Sequence, residues 1–451
     1  MNVHLNDRPI LRNLGNGLIL CRSRIDDAEA LAEFNSHIQS DEGFDQPDLR
    51  VGAWVRDLLT RPHPTFRPDD FTLVVEAVTG KIISSMNLIS QTWAYEGIPF
   101  GVGRPELVGT LPDYRKRGLV RLQFEEIHRW STERGEIVQG ITGIPFYYRL
   151  FGYELGLELD GGRLGFEAHL PKLKEGESEP FSIRPATEAD IPFLMEVYAH
   201  ACARQLITNV RDKATWNYDL TGQSVQNVDR LEYRILSIAG TKEPVGYIAH
   251  PWYNWNWGLV ARYYELKPDI SWLEVTPSVA RYLWRIGDNY SNRYGKSEVR
   301  TTYGFWFGSE HPSYDVFRKR VPFIRDPYAW YIRIPDLPKF LRHISPALER
   351  HIARSPIIGY TGEIKISFYR SGLQLVLEKG KLVTIEPWMP CHEDQGNAAF
   401  PDLSFLQIVL GYRTFEDLEQ SYADCWYKDD ETRVLLSTLF PKKASSVMFV
   451  N

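Results

Sequence analysis

Apolar and polar positions recur along the chain at spacings that mark out its elements. In "FTLVVEAVTGKIISSMNLI" two apolar runs, Phe71–Val78 and Ile82–Ile89, flank Thr79 and Gly80. That pattern predicts a β-hairpin with glycine in its turn. "LILCRSRIDDAEALAEF" reads as a strand, a polar turn and a helix with Asp26 near its start. A further strand is expected at Glu106–Leu111. After Gly118 the apolar positions Val120, Phe124, Ile127 and Trp130 step by three or four, which is helical spacing. Gly135 is expected to close that helix in a left-handed conformation.

A second segment opens at "FSIRPATEADIPFLMEVY". Thr187 and Asp190 stand three apart before an apolar run, close to a capping box. This opening repeats the order seen at Leu18–Leu31: strand, arginine, polar turn, acidic helix start. The echo suggests a duplicated fold. Between the two lies "PKLKEGESEP", polar, charged and bracketed by prolines, as linkers are. A third segment begins near "IRIPDLPKFLRHI". In it Ile364, Ile366 and Phe368 alternate with polar residues, then Leu373, Leu375 and Leu377, then Leu382. Turns at Ser371-Gly372 and Lys379-Gly380 separate these runs. The reading is an antiparallel meander with one buried face, in a small α+β domain.

A length of 451 residues suggests roughly two to four domains. The net charge of -6 argues against a nucleic-acid partner, which would need a basic face. Cys21, Cys202, Cys391 and Cys425 are widely spaced, with no CxxC pair. That is neither a disulfide framework nor a zinc ribbon, and it suits a reducing compartment. "MNVHLNDRPILRNLGNG" lacks a basic stretch followed by an apolar one, so no signal peptide is expected. No apolar run approaches the ~20 residues that span a bilayer. A soluble, cytoplasmic protein without a membrane partner is the expectation.

Against that acidic background, "TLPDYRKRGLVR" holds four cations in twelve residues. It lies between a strand and the start of a helix. Helix N-termini present free N–H groups and a positive dipole end. Arginine adds forked donors for phosphate, and Gly118 lets an anion approach the backbone. The stretch Arg115–Arg121 therefore reads as a pyrophosphate site. A solvated basic turn leading into a surface helix is the other account.

"ELVGTLPDYRKRGLVRLQFEEIH" followed by "FYYRLFGYEL" resembles the GNAT superfamily of acetyl-CoA-dependent N-acetyltransferases. The superfamily pattern Arg/Gln-x-x-Gly-x-Gly/Ala reads here as Arg115-Lys116-Arg117-Gly118-Leu119-Val120, with a bulky last residue in place of the usual small one. The whole chain is similar to the Eis-like branch of that superfamily. The resemblance implies an α/β fold of mixed sheets, with two tandem GNAT-like domains and a small sterol-carrier-like α+β domain. The expected boundaries are 1–170, 180–332 and 335–451. The first domain would carry acetyl-CoA and the second, degenerate one would not, since "VTPSVARYLWRIGDNY" lacks the glycine of the loop.

The resemblance also implies roles. Val108, Gly109 and Thr110 would pair with the pantetheine arm. Lys116 to Arg121 would hold the pyrophosphate, and the N–H near Val108 would face the oxyanion. Gly143 and Ile144 would add a cofactor contact. Tyr148 would protonate the leaving thiolate, since a phenol of pKa near ~10 stays neutral at working pH. The adjacent Tyr147 is set aside on the spacing Tyr148-Arg-Leu-Phe-Gly152. The base is either the terminal carboxylate of Asn451, delivered by the apolar tail Val447–Val450, or Glu106. The acceptor would be a primary amine of a small molecule or a lysine, and the protein a homo-oligomer, a hexamer built from trimers. The rival reading is a non-catalytic protein that binds CoA or an apolar ligand.

Other candidates carry less. "CHED" (Cys391–Asp394) reads as a loop, and no metal site is expected. "SDEGFDQPD" reads as a solvated acidic loop, and "PWYNWNWG" as sheet packing. His128 is expected at the surface.

Overall fold

The computed structural model describes residues 8–254, 258–290 and 301–450. The first part of the chain runs β1 (Ile10–Gly15), β2 (Leu18–Arg22), α1 (Ala28–Ile38), α2 (Leu49–Thr60), β3 (Phe71–Glu76), β4 (Ile82–Tyr95), β5 (Ile98–Thr110), α3 (Leu119–Glu133), β6 (Val138–Ile141) and β7 (Glu154–Leu159). The hairpin expected at Thr79-Gly80 is present, and Gly80 has a φ of +72°. β4 continues well past Ile89, because β5 starts at Ile98 and pairs with it back to Thr110. Glu96 and Gly97, both at positive φ, make the two-residue turn between them.

Strand alternation sends neighbouring side chains to opposite faces. Ile19, Cys21, Leu73 and Val75 pack under α1 and α2. On the other face, Met86 and Leu88 pack with Phe124, Ile127 and Trp130 of α3. The helical spacing read from the sequence is thus the buried stripe of α3. Gly135, at a φ of +76°, lies just beyond its end and donates to the Thr132 carbonyl.

The second part runs β8 (Gly162–Phe166), β9 (Phe181–Pro185), α4 (Ile191–Cys202), β10 (Ile207–Asn209), α5 (Lys213–Asn217), β11 (Leu231–Ile238), β12 (Pro244–Pro251), β13 (Gly258–Ala261), β14 (Tyr263–Leu266), α6 (Trp272–Gly287), β15 (Thr302–Phe305), α7 (Pro312–Phe317), β16 (Phe323–Arg325) and β17 (Tyr328–Arg333). Two four-stranded sheets result, ordered β14-β12-β11-β9 and β13-β15-β8-β16. Thr187 and Asp190 form the capping box before α4. Residues 171–180 have no regular structure and are largely exposed. "VTPSVARYLWRIGDNY" is mostly the body of α6, not a loop before a helix.

The two parts exchange strands across the boundaries expected near residues 170 and 332. β8 follows β7 in sequence yet pairs with β15 and β16 in the second part. β17 returns to the first sheet and lies between β6 and β7, antiparallel to both. β10 pairs with the far end of β4.

The third part runs α8 (Leu337–Ala353), β18 (Gly362–Ser367), β19 (Gly372–Glu378), β20 (Lys381–Trp388), β21 (Ala398–Ala399), α9 (Phe405–Val409), α10 (Phe415–Ser421), β22 (Trp426–Tyr427) and α11 (Asp430–Leu439). β18, β19 and β20 form the expected antiparallel meander, with Ile364, Ile366, Leu373, Leu375 and Leu377 buried. This core is continuous with Val102, Trp330 and Ile332 of the first sheet. "CHED" is a loop in which Asp394 pairs with Lys365. Among the described residues no helix is long and apolar enough to cross a membrane.

Candidate active site

β5 and β6 are parallel neighbours over only two residue pairs, Val102–Val138 and Gly103–Gln139. Beyond Gly103, β5 keeps β4 on one edge, while β6 turns its other edge to β17. A bulge accompanies the split. The partner of β5 shifts from Gly109 opposite Ser85 to Glu106 opposite Asn87, so one extra residue sits on β5. Leu107 takes up the distortion at a φ of +53°. Bulges bend a strand and aim its groups away from the ladder. Leu111 donates to Ile83 on β4, so by alternation Val108 and Thr110 face the open edge. Their carbonyls accept from side chains instead of a strand. Gln39 Nε2 reaches the Val108 oxygen at 3.1 Å, and Arg115 Nε reaches the Thr110 oxygen at 3.3 Å.

The cationic loop leads directly from that edge. Gly118 is the N-cap of α3 at a φ of +75°, and Lys116 is also left-handed at +62°. The first N–H groups of α3 after Gly118 have no partner within the helix and are left to face outward from its start. Arg115, Lys116, Arg117 and Arg121 are exposed. Among the described residues none of them is paired with a carboxylate. Arg117 donates to the Asp113 carbonyl and lies over Tyr114, while Arg121 lies over Phe151. The loop therefore offers uncompensated positive charge at a helix N-terminus, which fits a pyrophosphate.

Tyr148 opens a short 3-10 turn, Tyr148–Phe151, that ends at left-handed Gly152. Its side chain is buried among Phe124, Tyr153 and Tyr331. Its hydroxyl has no hydrogen-bond partner among the described residues, and a methyl placed on Gly143 would sit 3.7 Å from it. Burial, and then the charge of Glu106, hold its pKa well above that of an ordinary phenol. It is a neutral donor at any working pH. Tyr147 is half-buried beside it. Gly143, at a φ of +114°, and Ile144 are exposed at the head of the same loop. Tyr331 holds the loop by accepting the Phe146 N–H at 2.7 Å.

Glu106 sits at the base of the bulge and accepts from Arg104 Nη2 at 2.6 Å. Arg104 is buried under Phe449, 4.6 Å from its ring, and is 5.4 Å from the Trp330 ring. Glu106 and Phe449 both line a cavity of about 400 Å³ that also touches Trp54, Tyr233, Arg262 and Trp306. Three carboxylates in its wall are paired with arginines: Glu106 with Arg104, Asp160 with Arg262 at 2.6 Å, and Asp219 with the buried Arg211.

The residues singled out in the sequence thus divide into three neighbouring groups. Glu106, Val108, Gly109 and Thr110 lie on the bulged strand, Arg115 to Arg121 on the loop and first turn of α3, and Gly143, Ile144 and Tyr148 on the loop after β6. Asn451 lies outside the described residues. His128 is not a surface residue. It is half-buried, bonds the Tyr153 hydroxyl at 2.9 Å, and burial lowers its pKa to about 3. Sequence reasoning missed Arg104, although an arginine two residues before Glu106 shares its face of the strand. It also missed Gln39 and Tyr331, for which the sequence carries no signal.

Residues 39–156 match the family model described as an acetyltransferase (GNAT) domain. No curated protein sequence matches the chain. Solved structures resemble it over nearly its whole length. A GCN5-related N-acetyltransferase from Kribbella flavida is 16% identical, with 96% of this chain and 98% of that one covered at a TM-score of 0.59. A probable N-acyltransferase of unknown function from Enterococcus faecalis is 13% identical, with 95% and 97% covered at 0.62. Eis1 from Mycobacterium abscessus is 13% identical, with 98% and 99% covered at 0.55. The chain carries a GNAT acetyltransferase domain, and it is an acetyltransferase.

Proposed function

We propose that the chain transfers an acetyl group from acetyl-CoA to a primary amine, by direct attack within one ternary complex. The observation that carries the reading is Tyr148, whose ring is buried and whose hydroxyl has no hydrogen-bond partner among the described residues, near the split between β5 and β6. The open edge at Val108 and Thr110 suits the amides of a pantetheine arm. The cations from Arg115 to Arg121 and the N–H groups of α3 suit its pyrophosphate. Acetyl-CoA is the co-substrate, and no metal enters the scheme.

The amine nitrogen attacks the thioester carbon. A C–N bond forms, and the carbonyl electrons move to an oxyanion faced by the Val108 N–H. The tetrahedral centre loses the remaining extra proton on its nitrogen and collapses, the C–S bond breaks, and the thiolate takes the Tyr148 proton, which solvent then restores to the phenol. The acceptor starts as an ammonium and gives its proton to a base. Glu106 and the Asn451 carboxylate are the two candidates. Glu106 lines the cavity, and Phe449 brings the tail to the same wall. A cavity of about 400 Å³ favours a small-molecule amine, or the end of a lysine side chain.

We further read residues 1–170, 180–332 and 335–451 as a catalytic GNAT domain, a GNAT-like domain without a cofactor loop, and a sterol-carrier-like domain. The second assignment is supported by the strand order β9-β11-β12-β14, which parallels β2-β3-β4-β5.

The test is release of CoA thiol from acetyl-CoA with a panel of polyamines, aminoglycosides and lysine peptides. Amine-dependent release that collapses in Tyr148→Phe supports the reading. Saturable acetyl-CoA binding without release by any amine would favour a non-catalytic CoA-binding protein.

A further inference from the structure

The last described residues do not fray. They run as an extended segment between the first sheet and the second part of the chain. Ser446 bridges Thr208 in parallel, its N–H donates to the Ile207 carbonyl at 2.9 Å, and the Leu206 N–H donates to Ala444 at 2.8 Å. Side chains then alternate. Met448 is buried against Trp216 and Tyr247 of the second part. Phe449 stacks on Trp330 of the first sheet, with ring centroids 5.1 Å apart.

Two buried amides meet this segment where it enters the cavity wall. Asn209, at the end of β10, accepts the Met448 N–H on Oδ1. Its Nδ2 donates to Gln91 Oε1 at 3.3 Å. Gln91, on β4, also accepts from Trp93 Nε1 at 2.9 Å, and its Nε2 donates to the Val450 carbonyl at 3.4 Å. Asn209 is 3% exposed and Gln91 is 5% exposed. Each amide has its oxygen and nitrogen assigned by these partners, so neither can flip without losing bonds in a buried site. Tyr198 holds the Asn209 carbonyl at 3.0 Å, which ties the clamp to α4.

We infer that Gln91 and Asn209 are positioning residues. They form an amide clamp that locks residues 448–450 into the wall of the acceptor cavity and so sets where the amine sits. The inference rests on the transferase reading above. Phe449 is the link. It lines the cavity and covers Arg104, which holds Glu106. The clamp does not touch the cationic loop or the open edge of β5. Loss of the clamp therefore changes terms for the amine and leaves those for acetyl-CoA.

The experiment uses the full chain with Gln91→Met and Asn209→Leu, which keep volume and remove the polar atoms. Three quantities are read: kcat/KM for the amine that gives the best release, acetyl-CoA affinity by direct titration, and hydrogen exchange of a peptide covering residues 447–450 against one from β3. The expected result is a fall of about 10 to 100-fold in kcat/KM for the amine, the scale that small misplacements of a substrate produce. Acetyl-CoA affinity stays within twofold, exchange speeds up in the tail, and β3 is unchanged. Wild-type amine kinetics in both variants overturn the clamp. So does an equal loss of amine and acetyl-CoA terms with faster exchange in β3, which marks a general structural defect. A wild-type chain that releases no thiol with any amine sinks the transferase reading. The clamp's hold on the tail then stands or falls on exchange alone.

Discussion

Tyr331 packs edge-on against Tyr148, with ring centroids 5.5 Å apart and planes at 68°. The two residues come from opposite sides of the second part of the chain. Tyr331 reaches the site only because β17 threads back between β6 and β7. It also accepts the Phe146 N–H, so it fixes the loop that presents the proposed acid.

That pairing gives the first prediction. Tyr148→Phe should lower kcat by roughly 100-fold or more, the scale of general acid catalysis, and leave acetyl-CoA affinity unchanged. Tyr331→Phe keeps the ring and removes one hydrogen bond to the loop. Its kcat should fall by less, within about tenfold, since a single hydrogen bond is worth about 1 kcal/mol. Steady-state kinetics on both variants check this. Equal losses would mean that Tyr148 acts through packing.

The loop predicts a salt effect. Arg115, Lys116, Arg117 and Arg121 are exposed and lack carboxylate partners among the described residues, so their attraction for a pyrophosphate is screened by ions. KM for acetyl-CoA should rise with ionic strength, and the slope should flatten in Lys116→Ala and Arg121→Ala. Gly118→Val should raise KM as well. A β-branched residue at a φ of +75° costs roughly 1–2 kcal/mol and distorts the helix start. A KM that ignores salt would argue against this anion site.

Strand exchange predicts cooperative unfolding of the first two parts. Neither can open without unzipping β8 or β17 from the other. Calorimetry should show one transition covering both. Gly162 tests the joint, because a Cβ there would lie 2.0 Å from the Phe305 carbonyl oxygen. Gly162→Ala should lower Tm for that whole transition by several degrees, and two separated transitions in the wild type would contradict the coupling.

Acid sensitivity has identifiable sources. Burial lowers His63 and His128 to a pKa of about 3 and His250 to about 4, from an unfolded value of 6.5. Below pH 6.5 the unfolded chain takes up protons that the folded one refuses. Stability is therefore lost as pH falls from 6.5 toward 4, at up to about 1.4 kcal/mol per pH unit for each group. His250 is fully buried between the Pro251 carbonyl and the Tyr282 hydroxyl. The fall in Tm from pH 7 to 5 should be shallower in His250→Gln. An unchanged slope would exclude His250 as a source.

What the sequence determined on its own was local. Glycine in the turn before β4, three-to-four spacing along α3, the capping box at Thr187 and the meander of the third part are all written in neighbouring residues. Such patterns need only backbone stereochemistry and one buried face. The cationic loop before α3 was legible for the same reason, since its charge and glycine lie within seven residues. The tertiary structure alone decided which strands share a sheet. Nothing in β8 or β17 marks them for the other part's sheet, because both present ordinary strand residues and pairing energy does not depend on distance along the chain. The burial that keeps the Tyr148 proton in place, the Arg104–Glu106 pair beneath Phe449, and the meeting of Gln91 with Asn209 were likewise set by long-range packing. A side chain's surroundings come from residues hundreds of positions away, and no local pattern records them.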